Sequence, residues 1–207
     1  TSQGHHARLT MHPNGRPEQI AVINARRAIV APGLNYRPAA PLAFSSDNVQ
    51  SIIPQNLSKT LKAHPGAPVC VVGGGKTGMD TVLAVLAEDA QRKVSLINGR
   101  GTSFFNRTRF LPTGMKRWTS GKLISRIFRE TALSFDGDNE GHTLRHFRNH
   151  YSTAPDHDDG RFLYGMQSEE ERDRVMKGLA TSISDYLVDV RDTTSGPKMM
   201  FRSGAAE

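Results

Sequence analysis

The chain has 207 residues and a formal net charge of +7, long enough for a real core in one domain or one and a half. No apolar run approaches membrane-spanning length, so no membrane partner is expected, and the charge favours anionic ligands. A single cysteine, Cys70, excludes an internal disulfide and points to a reducing, cytoplasmic compartment.

In chain order, residues 7–12 and 18–24 are extended runs on either side of Pro13-Asn14-Gly15-Arg16-Pro17. Asn-Gly between two prolines predicts a hairpin turn. A third run, Arg27–Ala31, ends in Pro32-Gly33 and a proline-rich loop through Pro41. The polar segment Ser45–Leu57 contains Pro54, and Leu57–Ala63 has helical character that stops before Pro65-Gly66. The loop Ala63–Pro68 reads as a domain junction. With the turn-rich break at Asp136–Gly141 it gives three expected blocks: 1–66, 67–135 and 136–207.

Pro68-Val69-Cys70-Val71-Val72 then reads as a short buried strand, with Cys70 a small core residue. It feeds Gly73-Gly74-Gly75-Lys76-Thr77-Gly78-Met79-Asp80. Gly73, Gly75 and Gly78 make G-x-G-x-x-G between a strand and a helix, the context in which that motif signals a dinucleotide site. Gly73 permits the tight turn, Gly75 admits a pyrophosphate to the backbone, and Gly78 lets the helix pack on the strand. The unpaired N–H groups and positive end of the new helix favour an anion there. Gly75-Lys76-Thr77 looks like the end of a P-loop, but Cys70 stands where that motif needs its first glycine. The bland alternative is a glycine-rich turn that binds nothing.

Met79, Val82, Leu83 and Leu86 mark one face of a helix running to about Ala90, and Lys93–Ile97 is a second strand. Together they have the spacing of a parallel crossover unit. An acid at the end of the second strand would bind the ribose 2′-hydroxyl of NAD. That place holds Asn98-Gly99-Arg100-Gly101, and Arg100 suits a 2′-phosphate, so NADP is expected rather than NAD.

Beyond it lies a basic stretch, Arg100 to Arg129, interleaved with Phe104, Phe105, Phe110 and Trp118. Helices are predicted over 121–133, over 142–151 and from a capping box at Ser168 and Glu171. The last carries the stripe Val175, Met176, Leu179, Ile183 and Leu187. Lys198–Arg202 is a possible final strand.

Val71–Thr81 resembles the NADP-binding turn of flavin-dependent monooxygenases and related two-dinucleotide flavoproteins, G-x-G-x-(S/T)-G-x-D. Gly73, Gly75, Thr77, Gly78 and Asp80 match it. Ala31-Pro32-Gly33 is similar to the Ala-Thr-Gly segment that closes the flavin half, with proline at the middle position, and the hairpin before it is similar to that family's β-meander. The flavin domain's own glycine motif and the Phe-x-Gly-x-x-x-His signature are absent; Phe44–Ser51 occupies the latter's place. The resemblance implies an α/β, Rossmann-like three-layer NADP-binding domain, preceded by a β-meander remnant and followed by a mainly helical part. It implies a portion of an NADPH-dependent flavoprotein oxidoreductase that positions NADPH for hydride transfer to FAD. The FAD site would be incomplete in a chain that starts without Met and reads as processed or partial. The cofactor-binding residues it nominates are Gly73, Gly74, Gly75, Lys76, Thr77, Gly78, Asp80, Asn98, Arg100, Ala31, Pro32 and Gly33. No catalytic residue is nominated.

Two other readings compete: a non-catalytic NADP-sensing or interaction domain, and a basic nucleic-acid module built on residues 100–129. No nucleic-acid-binding motif accompanies that stretch, which disfavours the second. His142, His146 and His150 form an i, i+4 stripe, with His157 among aspartates nearby. Two such histidines can hold zinc, but no fixed third ligand follows, so a titrating surface is expected and no metal.

Overall fold

A computed structural model describes residues 7–12, 18–29, 31, 33, 40–119, 121–154 and 161–206, with backbone only at 161–164. The chain divides into two compact units, Thr1–Ala39 and Ala40–Glu207. In the first, β1 (Ala7–Met11) and β2 (Ala21–Ala25) pair antiparallel, with Leu9 opposite Ile23. This is the expected hairpin, whose Asn14-Gly15 turn lies outside the described residues. Arg27, Ala28 and Ile29 are not strand, contrary to the extended third run.

The second unit is mixed α/β. A 3-10 turn at Pro54–Asn56 leads into α1 (Leu57–Ala63). Then come β3 (Val69–Val72), α2 (Lys76–Glu88) and β4 (Val94–Ile97), with β3 and β4 parallel, as the strand–helix–strand spacing requires. The β-branched, apolar sequence of both strands suits a ladder covered by a helix. Val71 packs with Leu96, Val94 and the Met79, Val82, Val85 face of α2. Arg92, almost fully buried in the α2–β4 turn, ties it to the α1–β3 loop by donating to the carbonyls of His64 (3.1 Å) and Ala67 (3.0 Å).

The basic stretch opens on a strand, β5 (Thr102–Asn106), followed by α3 (Arg107–Phe110), α4 (Lys116–Thr119), α5 (Ile124–Leu133) and α6 (Glu140–Tyr151). Phe110, Ile127 and Phe147 form a second core, to which Phe105 and Tyr151 add edge-on ring contacts. β5 lies between β6 (Ser152–Thr153), antiparallel, and β7 (Arg161–Gln167), parallel.

The remainder corrects the mainly helical expectation for 136–207. α7 (Glu169–Gly178) starts on the predicted capping box: Ser168 Oγ accepts from Glu171 N at 3.1 Å and Glu171 Oε2 accepts from Ser168 N at 2.8 Å. It stops at Gly178, where a Cβ would run into Leu86 of α2. Leu179 and Ile183 therefore belong not to that helix but to β8 (Leu179–Ile183), which completes a parallel β3-β4-β8 sheet. Leu187 opens the antiparallel pair β9 (Leu187–Thr193) and β10 (Gly196–Phe201).

Cys70 is also a correction. Successive side chains of β3 alternate between the two faces of its sheet: Val71 is buried on the face that α2 covers, whereas Cys70 and Val72 are exposed on the other. The thiol lies 3.9 Å from Met199 Sδ on β10. No helix among the described residues is long and apolar enough to cross a membrane.

Candidate functional site

The turn between β3 and α2 is built from backbone. Gly73 N donates to Ile97 O at 2.8 Å, extending the β3–β4 ladder by one residue. Gly73 then turns the chain at φ +120°, a conformation costly for any residue with a Cβ, and the space beside it is open. Gly75 is the N-cap of α2, extended at φ −74° and ψ 176°. It has no side chain with which to cap the first N–H groups of the helix. A Cβ on Gly78 would collide with the carbonyl oxygen of Gly73. The first turn of α2 thus rests directly on the strand end, the role expected of the third glycine. Thr77 is exposed, and its carbonyl accepts from Thr81 Oγ1 at 2.7 Å.

Gly74 is also closely packed, though less tightly than Gly78, and the motif gives no reason to expect it. A Cβ there would lie 2.8 Å from Asn98 Cβ and 3.1 Å from Thr102 Oγ1. The end of β4 is therefore laid over the glycine turn. Asn98 is buried, its N–H donating to Ile183 O at 3.1 Å, while Gly99 N donates to Asp185 O at 3.2 Å. Arg100 follows on the outside of this bend, exposed and with no carboxylate paired to it among the described residues. The fold brings Gly73–Gly78 and Asn98 together, with Arg100 two residues on. Ala31 and Gly33 belong to the first unit, where Gly33 has φ +72°. Pro32 lies outside the described residues.

The charged side chains beside α2 form a connected set. Lys76 pairs with Asp80 one turn along the helix and lies 4.0 Å from Glu171 Oε1. Glu171 also receives Arg107 Nη1 at 2.9 Å, and Arg107 Nη2 donates to Met166 O at 3.1 Å. Partial burial pushes the Glu171 carboxyl up. The Ser168 N–H, Lys76 and Arg107 outweigh that and hold it below the ordinary carboxylate range. Glu169 accepts from Asn106 Nδ2 at 2.9 Å and lies 3.7 Å from Arg109 Nε. Sequence reasoning missed this Lys76–Glu171–Arg107 connection. The capping box announced Glu171 as a helix cap, but nothing local to residue 171 says that it reaches α2.

The histidine stripe forms as spaced. The His146 and His150 rings lie 4.2 Å apart, and His150 Nδ1 is 2.9 Å from His146 O. No cluster of three His, Cys, Asp or Glu suited to a metal occurs among the described residues, and His157 with its aspartates falls outside them.

Comparison with known proteins is sparse. No protein-family model and no curated protein matches the chain. Among solved structures, L-lysine 6-monooxygenase from Pseudomonas syringae is similar over 74% of this chain and 36% of that one, at 14% identity and a TM-score of 0.35. The chain therefore spans about a third of that enzyme's length, and a likeness this loose decides nothing about fold or function.

Proposed function

We propose that the β3–α2 turn binds the pyrophosphate of NADPH, as the NADPH-binding portion of a flavin-dependent, monooxygenase-like oxidoreductase. The observation that carries this reading is the glycine turn itself. An uncapped helix N-terminus follows a parallel strand directly, Gly78 is seated on the Gly73 carbonyl, and the space beside Gly73 is open. Backbone N–H groups at such a turn donate to phosphate oxygens without any side chain. Lys76 is engaged by Asp80 and faces Glu171, so the pyrophosphate is assigned to the backbone and not to the lysine. Asp80 holds Lys76 against the helix.

Asn98, just after β4, and Thr102, at the start of β5, support the turn, and exposed Arg100 is assigned to the 2′-phosphate. Ala31, Pro32 and Gly33 are assigned to the flavin side by family resemblance alone. Bound NADPH supplies a hydride for a flavin, while this chain supplies binding and orientation.

Titrating the chain with NADPH and NADH tests the reading. The expected preference for NADPH is about tenfold to a hundredfold, from charge-assisted bonds of about 1.5–3 kcal/mol, and Arg100→Ala removes it. Equal affinity for both cofactors in the parent chain refutes the assignment of Arg100. Binding of neither refutes the reading altogether.

A further inference from the structure

The carboxyl ends of β4 and β8 run on into two loops that lie side by side. Beyond the last pair of the parallel register, Ile97 with Ile183, Asn98 N donates to Ile183 O at 3.1 Å and Gly99 N to Asp185 O at 3.2 Å. The Tyr186 ring rests on the first of these loops, since a Cβ on Gly99 would lie 3.0 Å from Tyr186 Cε1 and 3.2 Å from its Cζ. Arg202 reaches the same ring from the other strand of the β9–β10 hairpin. The hairpin pairs Leu187 with Phe201, and Arg202 N extends the ladder by donating to Tyr186 O at 2.9 Å. Cross-strand neighbours lie within side-chain reach of one another. The Arg202 guanidinium carbon accordingly lies over the Tyr186 ring, 4.2 Å from its centroid.

A guanidinium at that distance is held by the ring in a cation–π contact, and Arg202 remains exposed to solvent. Its charge is answered in part by the Asp185 carboxylate, which also accepts from Tyr186 N at 2.7 Å and Ser203 N at 3.3 Å. With a carboxylate so near, Arg202 suits a neutral partner better than a phosphate. What it offers is a planar, delocalised cation that stacks on π systems. Tyr186 touches Gly99, the residue before Arg100, to which the 2′-phosphate is assigned. The ribose that bears this phosphate also bears the adenine, so the base falls beside the same loop. We propose, on the reading of the glycine turn as a dinucleotide site, that the adenine stacks on Arg202, with Tyr186 backing the guanidinium.

Calorimetric titration of the whole chain with NADPH and with NADH tests this. Arg202→Lys keeps the charge and removes the plane. It is expected to weaken both cofactors alike, by about tenfold, because both carry adenine. The ratio between them then stays as in the parent chain, whereas Arg100→Ala alters that ratio. Tyr186→Leu should act as Arg202→Lys does, Tyr186→Phe should keep the parent affinities, and Lys198→Gln on β10 should change neither. Arg202 and Lys198 are exposed, and unchanged thermal unfolding verifies that the Arg202→Lys chain is folded. Stacking also predicts an upfield shift of the Arg202 Nε–H proton in NMR spectra when NADPH is added to the parent chain. Full NADPH affinity in Arg202→Lys, or a loss confined to NADPH, overturns the stacking and leaves the reading of the glycine turn standing. Binding of neither cofactor by the parent chain overturns both.

Discussion

At Gly78 one missing methyl group decides whether α2 can sit on the end of β3. Gly78→Ala places a Cβ against the Gly73 carbonyl, and a backbone oxygen cannot swing aside as a flexible side chain can. The cost expected is about 1–3 kcal/mol, the range for overpacking a tight contact, read as a lower midpoint in urea unfolding together with loss of NADPH binding. Glu171 offers a second test at this scale. Its folded carboxyl is held below the ordinary carboxylate value, mainly because the Ser168 N–H, Lys76 and Arg107 overcome the opposing effect of burial. The stabilisation is therefore present above the ordinary carboxylate range and is lost as pH falls through the depressed folded value. Glu171→Gln should lower stability near neutrality and flatten its fall between about pH 5 and 3. An unchanged acid limb would show that the carboxylate is not coupled to folding.

Among the elements, the β9–β10 hairpin fastens the loop that precedes α1. Asp189 accepts from Ser45 N at 2.9 Å and Ser45 Oγ at 2.8 Å, and Asp192 accepts from Ser46 Oγ at 2.6 Å and Asp47 N at 3.0 Å. Arg191 and Ser45 hold the Asp189 carboxyl below its ordinary value, and Ser46 does so for Asp192. Asp189→Ala with Asp192→Ala should speed amide exchange at Ser45 and Asp47 while leaving the β3–β4 amides protected. Unchanged exchange at both amides would contradict the clamp.

The same region shows where the sequence was legible and where it was not. The β3–α2–β4 unit could be read because three local signals agree there: an apolar β-branched run, glycines at fixed offsets and an i, i+3, i+4 face. The capping box at Ser168 was equally local. Leu179 and Ile183 misled because their spacing continues the stripe of α7, whereas β8 exists only because β4 offers a parallel ladder to it. Thr102–Asn106 showed no alternation and passed unread as a strand, since β5 is defined by its neighbours β6 and β7. Cys70 reads as buried because a valine-rich run suggests a strand covered on both faces, whereas only the Val71 face of β3 is packed in the core. The site followed the same division. Gly73 and Gly78 behave as their spacing implies, while Gly74, Thr102 and Glu171 owe their places to contacts from 24 residues or more along the chain.

For the whole molecule the formal net charge is +7, which favours anionic ligands, and we assign NADPH to the glycine turn. Amide NMR spectra of the chain during an NADPH titration test this most directly, because they report where the cofactor binds. The largest shifts are predicted at Gly73 to Gly78 and at Asn98 to Gly101. Shifts confined to residues 107–127, or none at saturating NADPH, would contradict the dinucleotide assignment.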